Sequence, residues 1–208
     1  MQPKEQPVAK SPSPALSPPA RILEAARRLF FEEGFSRVTT DRLCREAAIS
    51  KATLYKYYPG MSDVLVAVTS AEGDRFEPVS PPEIDSLASL RAALIDYGTR
   101  LLNFLNEPDI QRFNSLMHEE AREHPEVALV FYNAAYKRTL KQLEDMFVMA
   151  ESHVEIDASP AELSELLLGM WEGMGMIRVG LCVEKKPFKK PSEWAELGVT
   201  TLLDGAVR

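Results

Sequence analysis

Apolar residues at Ile22, Ala25, Ala26, Leu29 and Phe30 fall at the i, i+3, i+4, i+7, i+8 spacing of one helix face, and Gly34 follows as a stop. The pattern predicts a helix over residues 21–33. Two much shorter helical patterns come next. Thr39 or Thr40 caps the first, which reaches residues 45–47 and buries Leu43 and Ala47; Ser50 caps the second, over residues 51–58, closed by Pro59-Gly60. Ser62 and Asp63 open a fourth pattern from residue 64 to about 76. Pro78 to Pro82 marks a break in composition. Beyond it, longer helical patterns cover residues 86–106, 109–123, 125–150 and 160–182, and another, 191–203, follows a basic turn at 185–190. Each begins near Pro, Asp or Ser, and proline in a first helical turn costs little because its missing N–H has no partner there. Neither strand alternation nor an internal repeat is present in the sequence.

The expected fold is all-α. An N-terminal three-helix head carrying a helix-turn-helix would occupy residues 20–66, and a larger helical body residues 67–208. Residues 1–19 are rich in Pro, Ser, Lys and Gln without an apolar run, so they read as a disordered tail and not as a signal peptide. With 208 residues and 45% hydrophobic side chains, the chain can bury a sizeable core. The formal net charge of −7 argues against a polyanionic partner until its distribution is considered: residues 20–58 carry +3, while residues 59–208 carry −11. A small basic head on an acidic body suits a protein that touches DNA at one end. Cys44 and Cys182 lie far apart and at no metal-ligand spacing, which fits a reduced, cytoplasmic chain without disulfides. No run of about 18 apolar residues is present, so no membrane span is expected.

The second short helix carries the candidate chemistry. Leu54 and Tyr58, four apart, share an inward face, Lys51 and Tyr55 share another, and Thr53, Lys56 and Tyr57 form the rim. Lysine supplies a mobile cation for phosphate or guanine, threonine a hydroxyl and a methyl, and tyrosine a rigid ring with a hydroxyl that reaches phosphate. Thr40, opening the preceding helix, would offer its hydroxyl and free backbone N–H groups to a phosphate. The stretch Thr39-Thr40-Asp41-Arg42-Leu43-Cys44-Arg45-Glu46-Ala47-Ala48-Ile49-Ser50-Lys51-Ala52-Thr53-Leu54-Tyr55-Lys56-Tyr57-Tyr58-Pro59 resembles the N-terminal motif of the TetR family of transcriptional regulators. The likeness spans residues 20–70. A looser one, through His-Glu-Glu-Ala-Arg-Glu-His-Pro-Glu at 118–126, links the body to one regulator subgroup.

The resemblance implies a homodimeric, ligand-responsive regulator, a repressor, that binds a double-stranded palindromic operator. It places DNA contacts on Thr40, Lys51, Thr53, Tyr55, Lys56 and Tyr57, an unknown small-molecule inducer in the body, and a dimer four-helix bundle on the last two helices. Three positions depart from the family's usual pattern: Ala48 and Ala52 stand where glycine is common, and Met61 where a lysine is usual. If residue 48 takes positive φ, alanine there costs about 1 kcal/mol. The absent lysine removes one phosphate-facing cation.

In the body, Phe113, Met117, Tyr132, Tyr136, Trp171 and Met174 are the candidates for lining a pocket for a hydrophobic inducer. Plain core is the competing role for each. His118 and His124 are six apart, not four, so neither a metal site nor a cofactor is expected, and a helix-end charge pair of Glu119 with Arg122 is the simpler reading. Gly169, Gly173, Gly175 and Gly180 in one apolar run point to close helix–helix approach or to space beside a cavity. Cys44, between Leu43 and Ala47, reads as inert filling. Two rival function classes stand beside this reading, and the second of them, an enzyme, is not expected. One is a helical interaction protein that keeps the head as a scaffold without sequence-specific DNA binding, for which Ala48 and Met61 speak. The other is an enzyme, against which stands the absence of a nucleophile elbow, a phosphate-cradling glycine loop and metal-ligand spacing.

Overall fold

The computed structural model describes residues 16–76 and 83–206; residues 1–15 of the expected tail and the prolines at 78–82 lie outside the described residues. Helix α1 (Pro18–Glu33) starts inside the segment read as a tail, because Pro18 and Pro19 occupy its first turn, where no N–H is needed. It buries Ile22, Ala25, Ala26, Leu29 and Phe30, and Gly34 ends it at φ 83. A 3-10 turn (Phe35–Arg37) leads into α2 (Thr40–Glu46) and α3 (Lys51–Tyr57). Helix α4 (Met61–Gly73) begins three residues earlier than its sequence pattern suggests, with Gly60 in extended backbone as N-cap and Asp63 in the first turn. It runs on without interruption through residue 66, the expected edge of the head.

The body comprises α5 (Leu87–Leu105), α6 (Pro108–Glu120), α7 (Pro125–Tyr132), α8 (Arg138–Ala150), α9 (Pro160–Gly180) and α10 (Pro191–Ala206). No strand occurs among the described residues. Where the pattern predicts one helix over residues 125–150, a π turn (Asn133–Lys137) separates α7 from α8. The widened turn packs against the end of α4: a Cβ on Gly73 would stand 2.7 Å from that of Ala134. Helix α9 is broken at Gly173, whose φ of 29 and ψ of −137 are outside the helical region.

Two apolar clusters hold the molecule together. The body cluster joins Leu90, Leu94 and Tyr97 of α5 to Phe147 of α8, Trp171 of α9 and Val199 of α10. Trp171 is fully buried, and its Nε1 donates to the Ala195 carbonyl at 3.2 Å. Helices α5 and α10 close on its ring only because Gly98 and Gly198 face it: a Cβ there would lie 2.5 Å and 2.8 Å from ring atoms. The second cluster is built from the head residues Ile22, Leu29, Leu43, Leu54, Leu65 and Val68, and it continues into Phe113, Leu116 and Met117 of α6 and Val127 of α7. Head and body therefore share one core. An ion network binds the same joint. Buried Glu72 of α4 accepts from Arg27 of α1 and from Arg75; Arg27 also reaches Asp109 of α6 at 3.0 Å, and Arg75 reaches Glu107. Glu72 is the buried member, and losing both arginines would leave its charge uncompensated, at about 3–5 kcal/mol.

Candidate nucleic-acid interface and body cavity

Helix α3 is only seven residues long, so it depends on its cap and its back face. The Ser50 hydroxyl accepts from the Thr53 N–H at 3.0 Å, and Leu54 is buried beneath the helix while Tyr58 packs half-buried beside it. Helix α2 is capped the same way, Thr39 accepting from the Arg42 N–H at 3.2 Å. The chain between them passes through Ala48 at φ 51, the left-handed conformation that glycine would adopt freely. Arg21 reaches the Ala48 carbonyl at 3.4 Å. With α2 and α3 so fixed, Lys51, Tyr55, Lys56 and Tyr57 project into solvent. Tyr55 is 51% exposed and Tyr57 40%, large rings left uncovered on a short helix. Thr53 and Thr40 are half-buried at the margin, the Thr53 hydroxyl held 2.9 Å from that of Ser50.

The charges on this face are not all free. Lys51 Nζ lies 2.7 Å from Asp41 Oδ1, and this contact raises the lysine pKa. Lys56 rests over the Tyr57 ring at 5.7 Å. Arg37 and Arg45, which the helix pattern does not single out, are exposed and make no ion pair among the described residues. Met61 packs half-buried against the head core, so the position that usually carries a lysine supplies apolar contact here. Cys44 is buried, and burial pushes its thiol pKa up, away from reactivity.

In the body, a narrow cavity of about 50 Å³ lies between α4, α5, α6, the π turn, α8 and α9. Phe113 and Tyr136 line it, together with Phe76, Phe104 and Phe131. The other four expected pocket residues lie elsewhere. Met117 is buried in the core shared by head and body, and Trp171 in the body core. Tyr132 is exposed and stacks on Tyr136, while Met174 is 59% exposed beside Phe188. A chain of ring contacts leads from α1 to the cavity: Phe31 to Phe113 at 5.7 Å, Phe113 to Phe131 at 5.4 Å, and Phe131 to Tyr136 at 5.6 Å. Burial pushes the Tyr136 hydroxyl pKa up, and that of the Glu172 carboxyl, also on the cavity wall, to about 7. Glu172 escapes the apolar pattern of its helix, although a lone acid amid Leu166 to Val183 is the signal that marks it.

At the helix end near His118 no Glu119–Arg122 pair forms. Glu120 instead accepts from Ser36 at 3.1 Å and lies 3.9 Å from His124, whose ring meets Phe35 edge to face. Among the described residues no group of His, Cys, Asp and Glu is arranged to hold a metal ion, and no helix is long and apolar enough to cross a membrane.

Residues 22–68 match the family described as bacterial regulatory proteins, tetR family, and residues 92–203 match the C-terminal domain of AefR-like transcriptional repressors. The chain is 34% identical over 85 residues to the helix-turn-helix regulator YdeS of Bacillus subtilis (strain 168), covering 40% of each protein. It is 25% identical over 97 residues to the regulator SrpR of Pseudomonas putida, covering 47% of this chain and 44% of SrpR. The chain thus spans less than half the length of these two relatives. Among solved structures, the flavonoid-responsive regulator FrrA superposes with a TM-score of 0.78 at 23% identity, over 91% of this chain and 97% of FrrA. A TetR transcriptional regulator from Agrobacterium tumefaciens gives 0.72 at 20% identity, over 92% and 96%. With the first match on the helix-turn-helix and the second over more than half of its length, the chain belongs to the TetR family of bacterial transcriptional regulators and is a DNA-binding transcription regulator, not an enzyme.

Proposed function

We propose that the protein is a cytoplasmic, ligand-responsive repressor that binds a palindromic operator as a homodimer. The observation that carries this reading is the path of α4: Val64, Leu65 and Val68 are buried in the head core, while Glu72 and Gly73 of the same helix line the body cavity. A ligand that spreads the cavity wall moves the helix on which the head is mounted. Such a ligand shifts the protein by its differential affinity for the two arrangements, which is all the coupling requires. The reading takes residues 20–66 as the DNA-binding unit and residues 67–208 as the ligand-binding and dimerisation unit.

Lys51, Tyr55, Lys56 and Tyr57 enter the major groove, with the Thr40 and Thr53 hydroxyls toward the backbone. Lys51 exchanges Asp41 for a phosphate or a base. Dimerisation uses α9 and α10, on which Leu166, Met174, Ile177, Trp194 and Leu197 are exposed. A Cβ at Gly169 or Gly180 would meet nothing within 4 Å, so a partner helix has room to approach. Two-fold symmetry then sets half-sites about 34–36 Å apart, or a multiple of that.

Selection of bound sequences from a random DNA pool, followed by salt titration of the winner, tests this function. A palindrome is expected, with affinity falling by about 0.9 decade per decade of salt for each phosphate contact. Lys51→Ala and Tyr55→Ala should each weaken operator binding without changing the dimer. Failure to enrich any sequence at low salt would return the head to a scaffolding role.

A further inference from the structure

The charged groups on the cavity wall are three, and two are already answered. Glu72 is held by Arg27 and Arg75. Arg138 donates to Asp74 at 2.9 Å and to the Phe76 carbonyl at 3.1 Å. Glu172 makes neither a hydrogen bond nor an ion pair among the described residues. Glu172 is half-buried and desolvated on the cavity wall, and a carboxylate so placed without a partner calls for an explanation. Around it stand aromatic rings, Phe76, Phe104, Phe113, Phe131 and Tyr136, whose faces attract cations. Asn114, on the same wall, makes no side-chain hydrogen bond among the described residues and can accept an N–H.

We propose that the cavity takes an aryl-alkyl amine bound as its ammonium cation, with Glu172 as counter-ion and the rings as its apolar walls. This rests on the reading of the cavity as the ligand site. An anionic ligand would meet the carboxylate with like charge. A neutral alcohol would satisfy one hydrogen bond but bring no charge to pair with the ionised form of the carboxyl. The ammonium answers both the charge and the hydrogen bond. Burial lifts the Glu172 carboxyl to about 7, so the empty cavity can hold it protonated, and the arriving cation displaces that proton. The other titratable groups on the wall do not compete: Glu72 and Arg138 are paired, and Tyr136 stays neutral. The cavity is narrow, and the π turn, none of whose residues is fully buried, is the wall freest to yield to a ring.

The test uses the full chain and three probes of similar size: 2-phenylethylamine, 2-phenylethanol and phenylacetate. Thermal unfolding and titration calorimetry at pH 7.5 should show the amine binding, the alcohol more weakly and phenylacetate not at all. Glu172→Gln should lower amine affinity by about 10- to 100-fold, the scale of a charge-assisted hydrogen bond, while leaving the alcohol unchanged. Glu172→Met, of similar length without polar atoms, gives the same readout should the amide variant fold poorly. Binding of none of the three overturns the cavity as a ligand site. Alcohol or phenylacetate binding as tightly as the amine overturns the cationic class while leaving the site. Equal amine affinity in wild type and both variants overturns Glu172 as the counter-ion.

Discussion

Replacing Ala48 by glycine probes the turn on which the recognition unit is built. Ala48 holds φ at 51 between α2 and α3. In that region an L side chain crowds the next carbonyl, at about 1–2 kcal/mol. The methyl group is exposed, so its removal loses no packing. Against this gain, glycine widens the unfolded ensemble and costs the variant about 0.4–1 kcal/mol. The net expectation is that Ala48→Gly stabilises the protein by about 0.5–1 kcal/mol. The backbone bonds at the turn survive, since the Ala48 N–H to the Arg45 carbonyl at 3.3 Å and Arg21 to the Ala48 carbonyl involve no side-chain atom of residue 48. Urea unfolding at fixed protomer concentration reads this out as a higher midpoint with unchanged slope, and thermal unfolding as a rise of about 1–4 °C. A variant less stable than wild type would refute the reasoning, because it would mean that the turn does not hold positive φ in solution.

Other perturbations have equally definite outcomes. Asp41→Asn releases Lys51 from its exposed partner and should raise DNA affinity about two- to fivefold at low salt; in a Lys51→Ala background the gain should vanish, and its persistence would deny the competition. Glu172 goes from its ordinary 4.5 to about 7 on folding. Its contribution to stability is therefore fully present below pH 4.5 and is lost as pH rises through about 7. The loss is roughly 3 kcal/mol at pH 8. Glu172→Gln should flatten the stability profile across that window, and an unchanged profile in denaturant titrations at pH 5 and 8 would contradict it. Gly98→Ala drives a methyl into the Trp171 ring, where its Cβ would stand 2.5 Å from Cζ2. A loss of about 1–3 kcal/mol is expected, partly recovered when Trp171 is reduced to Phe, as thermal unfolding of single and double variants will show.

The head is nearly all legible in the sequence because its elements are set locally. Thr39 and Ser50 cap by reaching residues three positions on, and the spacing of Ile22 to Phe30 fixes which face of α1 is buried, so one-dimensional pattern and three-dimensional placement coincide. The body cavity is not local. Phe113 and Tyr136 could be named from residue type, but Trp171 and Met174 flank the same stretch of chain and point respectively into the core and into solvent. What separates them is the closeness of Gly98 and Gly198 to Trp171 and the break at Gly173, both of which depend on how α5, α9 and α10 meet. The π turn likewise follows from the crossing of α4 and α7 and leaves no mark on an apolar pattern that runs straight through residues 125–150. Asp41 and Lys51, ten residues apart on different helices, become partners only once the turn at Ala48 has folded.

The core that runs from Leu29 and Leu65 into Phe113, Leu116, Met117 and Val127 bears on how such regulators can be recombined. A chimaera joined at residue 66, grafting this head onto another protein's sensor, would set the apolar back of the head against a foreign α6 and strand Arg27 without Glu72 and Asp109. The transplantable unit is larger than the sequence motif: it includes α4 to its last turn and the face of α6 that plugs the head from beneath. For the same reason, exchanging sensors by evolution requires that surface to change in step, so the inner face of α6 limits which heads and bodies can be combined.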